Sequence, residues 1–241
     1  MSNGLAGLYR RPYLIGESQG TIVSDREEAV QRAIEVIRHQ NGELRLYIRE
    51  FKEFQFALDP LEAPDGPRVA KLMAEHSKAA GVGPMAAVAG VLADLSVEEM
   101  LKAGASVAVV ENGGEVAFTS DRPVNIALQA GDAPLSKRIG FKLEEFPVGV
   151  ATSSGLFSHA LSFGEAEAVT VFAESAGLAD AAATAVANGV KGDDEQDASR
   201  LGVDTGLSIE GGRGGFVLYR GAVGMGGGMP SIIGVEPGGP N

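Results

Sequence analysis

The stretch EAVTVFAESAGLADAAATAVANG, residues 167–189, begins as a strand candidate and continues as a helix written almost entirely in alanine. Side chains this small imply close approach of backbones: such a helix sits tightly against a sheet or another helix, or leaves room for a ligand. Within it Asp180 and Thr184 stand at i and i+4, on one helical face. A carboxylate and a hydroxyl so placed can converge on one hard cation such as Mg²⁺. The alternative is that Asp180 caps or faces water while Thr184 bonds back to the carbonyl of residue 180.

Upstream, Ser24-Asp25-Arg26-Glu27 reads as a capping box, followed by Ala29, Val30, Ala33, Ile34 and Ile37 at helical spacing up to Gly42. From Glu43 to Leu58 the apolar residues alternate, with a phase slip near Glu50-Phe51, which predicts a long bent strand or a hairpin. LEAPDGP is a loop, and Val69 to Ala80 a helix entered through Pro67. GVGPMAAVAGVLADL is a helix of small residues, and a second capping box from Ser96 to Glu99 opens a short helix to Lys102. ASVAVVENGGEVAFTS is two strands around Asn112-Gly113, a type I′ hairpin signal. PVNIALQAG and RIGFKLEEFPVGVATSS add strand candidates, and LSIEGGRGGFVLYRGAVG reads as a final hairpin. Residues 191–204 read as an acidic, solvated excursion, and the Gly/Pro-rich tail from about 225 to 241 as loose or draped over the surface. Strand groups separated by helix groups, without strict alternation, predict an α+β class. The 241 residues suffice for one compact domain or two intimately packed lobes, and 1–241 is taken as one domain with its motif-bearing core at about 81–190.

The chain has no cysteine, which excludes disulfides, thiolate zinc sites and thiol catalysis. A net charge of −12 argues against a nucleic-acid partner, which needs a basic face. No apolar run reaches the length of a membrane span and no export signal opens the chain, so the expectation is a cytoplasmic protein that does not enter a membrane. An anionic ligand must then be held locally, by backbone N–H groups, a metal ion or a few placed cations.

Three further places carry candidate chemistry. In GVATSSGLFSH, Thr152, Ser153, Ser154 and Gly155 form a turn after a strand whose N–H and O–H groups can cradle a phosphate, with His159 just beyond; an ordinary Ser/Gly turn reads the same way. A G-x-S-x-G nucleophile elbow is absent. In Glu111-Asn112-Gly113-Gly114-Glu115 a hairpin turn explains Asn112-Gly113 but not the extra glycine or the flanking carboxylates, and Gly114 marks a spot where a ligand can approach the backbone. Gly81 to Met85 leads into a helix N-terminus whose free N–H groups favour an anion. The GGRGG and GMGGGM runs lack a strand-loop-helix context and a following Lys, and are assigned to turns.

Taken in order, a small-residue helix after Gly83, a strand ending in NGGE, the ATSSG turn, His159, and EAVTVFAESAGLADAAATAVANG resemble the core of the ApbE-like flavin transferases, the FAD:protein FMN transferases. That family carries an N-x-G-G-D turn, an A-T-S-G turn, a following histidine, an S-V-T-V strand and a helix reading A-D-x-x-x-T. An uncharacterised branch of the superfamily, with VGPMAAVAG, VENGG, TSSG and LADAAATA signatures, is closer still. The resemblance implies an ApbE-like sheet flanked by helices and a flavin nucleotide site, FAD or a related nucleotide, at Glu111, Asn112, Gly113, Gly114, Thr152, Ser153, Ser154 and Gly155. It also implies Mg²⁺ on Asp180 and Thr184, His159 as a catalytic candidate, and attack of a hydroxyl on the pyrophosphate with AMP leaving. After His159 the family's D-P-x-T-G segment is replaced by ALSFGEAEA, and the lysine of its K-G-Y/F-A motif has no counterpart. The expected function is therefore a Mg²⁺-dependent protein that takes a phosphorylated small molecule and acts at phosphorus. The alternative is a non-catalytic ligand-binding or assembly protein that keeps the fold.

Overall fold

The computed structural model describes residues 7–128, 135–153 and 164–235. Among the described residues eleven strands form two sheets: β1 Tyr9–Ile15, β2 Ser18–Ser24, β3 Val107–Asn112, β4 Glu115–Ser120, β5 Val124–Ala127, β6 Ile139–Leu143, β7 Val148–Ser153, β8 Ala168–Ala173, β9 Gly212–Tyr219, β10 Ala222–Gly227 and β11 Ser231–Gly234. The larger sheet has eight strands in the order β1-β2-β3-β4-β7-β8-β9-β10, with every neighbouring pair antiparallel. β5 and β6 leave this meander and pair with β11 in a three-stranded sheet, order β11-β6-β5.

Strand alternation sends the two faces of the large sheet to two different cores. On one face Val148, Val150, Phe172, Phe216 and Leu218 meet Phe141 and Leu143 of the small sheet, with Phe141 edge-on to Phe172 and Phe216. On the other face lie the helices: α1 Glu27–Glu50, α4 Val88–Lys102, α5 Ala176–Gly189 and α6 Glu195–Ser208. The short α2 Lys52–Phe56 and the helix α3 Arg68–Ala80 add to this layer, and a 3₁₀ turn at Pro84–Ala87 leads into α4. This is an α+β fold, with the β3–β4 hairpin in a sheet covered by α4 and α5 as the sequence predicts.

Several expected elements differ. Residues 43–50 continue α1 and 52–56 form α2, so no strand or hairpin lies there. The alternation of Leu44, Leu46 and Ile48 is also compatible with a helix whose inner side carries Ile37, Leu44 and Tyr47; Leu46 simply points outward. The second capping box does not open a helix: Ser96 is inside α4 and its hydroxyl donates to the Leu92 carbonyl. The first is shifted, since α1 starts at Glu27 with Arg26 at the N-cap, while Asp25 accepts from the Ser106 and Val107 amides. The acidic stretch after 191 is largely α6, capped by Asp194, which accepts from the Asp197 amide. Its acidic first turn suits the positive end of the helix, and its inner face is built of small residues such as Ala198, Gly202 and Gly206. The tail is ordered by pairing as far as Gly234, because β11 closes the small sheet.

Gly42 sits inside α1, and a Cβ added there would meet no atom within 4 Å. Gly42→Ala is therefore expected to raise stability by about 0.5–1 kcal/mol through helix propensity alone, read as a higher denaturant midpoint at unchanged slope.

Candidate functional site

The junction of α4, α5 and the β3–β4 turn brings together Asp180 and the Glu111–Gly114 turn among the described candidate residues. Its first component is backbone proximity. A Cβ on Gly90 would lie 2.2 Å from the Ala176 carbonyl oxygen and 2.6 Å from the Gly177 nitrogen, so only glycine lets α4 cross α5 here. Gly149 of β7 plays the same part beneath the start of α5, where a Cβ would lie 2.0 Å from the Ser175 carbonyl carbon.

At this crossing the two helices cap one another. Asp180 on α5 accepts a hydrogen bond from the Gly90 amide at 3.0 Å, in the first turn of α4. Asp94 on α4 accepts from the Ala176 and Gly177 amides at 2.9 and 2.8 Å, in the first turn of α5, where Ser175 also accepts from the Leu178 amide. Each carboxylate satisfies amides that a helix start leaves without partners and meets the positive end of the other helix.

The hairpin adds the third wall. Asn112 and Glu115 pair at the end of the ladder, so the turn residues are Gly113 and Gly114, with φ of +73° and +121°. The two-residue loop is thus one position later than Asn112-Gly113, because two consecutive positive-φ positions are most cheaply filled by the two glycines. Asn112 is buried and its side-chain amide donates to the Ala89 carbonyl at 3.0 Å. Asn112 and Asp180 therefore hold the carbonyl of Ala89 and the amide of Gly90, the two ends of one peptide unit. The Glu111 carboxylate folds back to accept from the Gly114 amide at 3.2 Å.

The electrostatics of this corner are one-sided. Burial, then the neighbouring Glu115 carboxylate, pushes Asp180 well above the usual carboxylate range, against the pull of the Gly90 and Ala89 amides. Burial, and Glu111 beside it, raises Glu115 to about 7. Burial raises Glu111, and raises Asp94 to about 6 despite its two amide donors. His76, whose ring approaches Gly177 and whose value burial lowers, does not bring a compensating charge. These groups disfavour their own ionisation together, and a cation beside them would relieve that.

Thr152 lies at the end of β7, and its hydroxyl is 2.9 Å from that of Thr170 on β8. By strand alternation with Val148 and Val150 it faces the small sheet, whereas Ala151 packs under α5 and Ser153 shares Ala151's side. The turn expected over Thr152 and Ser153 is not there: both are the last residues of β7, paired with Thr170 and Val169 of β8, and the Thr152 hydroxyl serves that neighbouring strand, because β-branched and small residues continue the ladder as readily as they start a turn. Thr184 is half-buried one turn beyond Asp180. Ser154, Gly155 and His159 lie outside the described residues. Asp94 and the Ala89–Gly90 peptide enter the corner without having been singled out from sequence as site residues. The ENGGE spelling pointed at Glu115, whereas the Asp94 contact, 82 and 83 residues away along the chain, left no local mark.

Among the described residues no group of three or more His, Asp or Glu side chains could hold a metal by itself. The donors at hand are oxygens, a set suited to a hard ion of the Mg²⁺ or Ca²⁺ class, and Mg²⁺ ordinarily completes its shell with waters and ligand phosphates. The residues present fit such an ion as a partner of a bound phosphate, not as a closed protein cage.

The family described as AbpE bacteria matches residues 15–210. UPF0280 protein MK0206 of Methanopyrus kandleri is 41% identical over 239 residues, covering 96% of this chain and 95% of its own length. A UPF0280 protein of Methanosarcina acetivorans is 37% identical over 227 residues, covering 93% and 88%. Among solved structures, the apo form of the flavinyl transferase ApbE of Pseudomonas stutzeri superposes with a TM-score of 0.61 at 16% identity, over 91% of this chain and 94% of that one. The ApbE protein of Thermotoga maritima gives 0.61 at 13% identity, over 95% and 97%. At such identities the likeness establishes a shared fold.

Proposed function

The chain belongs to the AbpE bacteria family, alongside the archaeal UPF0280 proteins, and from that membership we propose that it binds a flavin nucleotide, or a related phosphorylated small molecule, together with Mg²⁺ in the cytoplasm and acts at phosphorus. The observation that carries the reading is the peptide Ala89–Gly90, held by Asn112 from the hairpin and Asp180 from α5. Three sequence-distant motifs meet there, beside carboxyls that a cation would return to their charged forms. Asp180 and Thr184 would hold the ion, which when bound supplies neutralisation of pyrophosphate charge. This chain's own residues do the rest. Gly113 and Gly114 present backbone without side chains at the corner, and Ser153 stands at the strand end beside α5. Glu115, titrating at about 7, holds or yields a proton near neutral pH.

The test is thermal shift with FAD, FMN, ATP and CoA, each with and without Mg²⁺. FAD with Mg²⁺ is expected to raise the melting temperature by several degrees, since a ligand at 100 times its Kd adds about 2.7 kcal/mol. Asp180→Ala is expected to abolish the Mg²⁺-dependent part and to cost about 0.5–2 kcal/mol of its own, the usual price of an uncapped helix start. If the variant unfolds outright, or keeps its Mg²⁺ response, Asp180 is a structural acceptor and the metal reading falls.

A second reading is favoured by the same bonds. Asn112 and Asp180 are already engaged by backbone, as expected of a binding or assembly protein that keeps the fold without turnover. Incubation of FAD with Mg²⁺, the protein and a hydroxyl acceptor, water in one arm and a threonine-containing peptide in the other, separates the two, because AMP leaves only as that hydroxyl bonds to phosphorus.

A further inference from the structure

The second half of α1 carries an open hollow of about 600 Å³ on its exposed side. Gly42 stands at its centre, with Arg38 one turn before it and Arg45 and Arg49 one and two turns after, on one face of the helix. His39 and Leu46 lie along the neighbouring line, and Glu43 is the one acid among the lining residues. Two features of the hollow have no explanation within the chain. A glycine inside a helix is less favourable than alanine by about 0.5–1 kcal/mol. Gly90 is required by the backbone its Cβ would strike, but a Cβ on Gly42 would meet nothing within 4 Å, and its φ is not positive. The second feature is charge. Arg38, Arg45 and Arg49 make no ion pair with another described residue, in a chain of net charge −12 whose Arg32, Arg68, Arg122, Arg200 and Arg220 all do. The hollow is also held in place from beside. The Arg45 guanidinium lies over the β1–β2 turn, where a Cβ on Gly16 would be 2.5 Å from its Nη2, and Asn41, next to Gly42, donates to the Ser18 hydroxyl at 3.1 Å.

We propose that this hollow binds a compact polyanion of the triphosphate class, as inorganic triphosphate or as the phosphate chain of a nucleotide, at a site that shares no residue with the α4–α5 corner. A guanidinium presents its N–H donors in a fixed fork that matches phosphate oxygens. Three arginines against the single carboxylate of Glu43 leave the lining cationic, and His39 adds a ring nitrogen. The absent side chain of Gly42 lets the anion come close to the helix between them. Size and charge together decide the class of occupant. The Debye length at physiological ionic strength is about 8 Å, so a small anion in the hollow feels these arginines and little of the distant acids. A nucleic acid or an anionic bilayer would instead face the −12 of the whole surface. The volume of the hollow likewise falls within the range of small-molecule sites, about 300–1,000 Å³.

Isothermal titration calorimetry of the full chain with sodium triphosphate in Mg²⁺-free buffer tests the proposal. The wild type is expected to bind at a single site, with an affinity that falls as salt rises. Arg38→Gln combined with Arg49→Gln is expected to weaken binding about tenfold or more, equivalent to about 1.4 kcal/mol. Gly42→Leu fills the notch while leaving every charge in place, and is expected to weaken binding as much with no loss of stability. Asp180→Asn is expected to bind triphosphate as the wild type does, which keeps this result apart from the fate of the corner. A wild type that binds no triphosphate overturns the proposal, in favour of a membrane surface if the protein floats with phosphatidylserine vesicles. Unchanged affinity in either the arginine variant or Gly42→Leu overturns it too, as does loss of binding in Asp180→Asn, or sulfate bound as tightly as triphosphate.

Discussion

Gly90→Ala is expected to destabilise the protein by about 3 kcal/mol, at the upper end of ordinary overpacking, although helix propensity alone favours alanine by about 1 kcal/mol. The sign is decided by what the new methyl meets. Its three nearest neighbours, at 2.2, 2.4 and 2.6 Å, are all backbone atoms of Ala176 and Gly177, which cannot rotate away as a side chain can. α4 and α5 must separate, and with them go the bonds from the Gly90 amide to Asp180 and from the Ala176 and Gly177 amides to Asp94. Urea denaturation should show the loss, and Mg²⁺-dependent ligand stabilisation should disappear in whatever folds. Gly42→Ala, the same exchange on α1 with open space around the methyl, should move the midpoint the other way. If both variants move together, propensity and not the crossing governs residue 90.

The second large effect is a dependence on pH opposite to that of a protein held by ion pairs. The carboxyls of Asp94 and Glu115 are pushed up to about 6 and about 7, and that of Asp180 well above its ordinary value. A carboxyl whose folded value exceeds its unfolded one binds its proton more tightly in the fold, so stability is lost as pH rises from the unfolded value through the folded one. The window runs from about pH 4, where unfolded carboxyls titrate, to about 7. His76, lowered by burial, acts in the opposite sense below about pH 6.5, as one group against four, since burial raises Glu111 as well. Arg10 near Glu111 and the Gly90 and Ala89 amides at Asp180 reduce the effect without reversing it. Metal-free protein is therefore expected to be more stable at pH 5.5 than at pH 7.5 by on the order of 2 kcal/mol, since each pH-unit displacement of a value is worth about 1.4 kcal/mol. Saturating FAD with Mg²⁺ should flatten or invert that slope, because a cation favours the charged carboxyls. Asp180→Asn with Glu115→Gln should flatten it without any ligand. A wild-type profile that rises from pH 5.5 to 7.5 in the absence of metal contradicts the electrostatics of the corner.

Local signals were legible where the chain alone satisfies them. The β3–β4 hairpin is announced by ENGGE because consecutive positive-φ residues are a property of the turn itself, and only the exact pair of turn residues was displaced by one. Alanine and glycine in α4 and α5 announced close packing, which Gly90 and Gly149 bear out. The errors came where one pattern serves two structures. Leu44 and Ile48, at i and i+4, fit a helix's inner side as well as a strand's period; the exposed Leu46 between them, and the packing of Ile37, Leu44 and Tyr47, decided for the helix. The acid-rich stretch 191–204 resembled solvated chain because its buried face is made of Ala, Gly and Ser, whose burial leaves no hydrophobic period to read.

The sequence by itself determined the α+β class, the hairpin, the small-residue helices and the motif order that ties this chain to its family, because each is written in residues a few positions apart. Tertiary structure alone decided what those motifs touch. Asp180 and Thr184 look the same on paper whether they bind a metal or cap a helix; the crossing of α4 and α5 put the Gly90 amide in front of Asp180 and drew Asn112 to the adjoining carbonyl. The physical reason is range. Turn chemistry and helix propensity act within a few residues, whereas a carboxylate's partners and its titration depend on which backbone the folded chain brings beside it, here 90 residues away along the sequence.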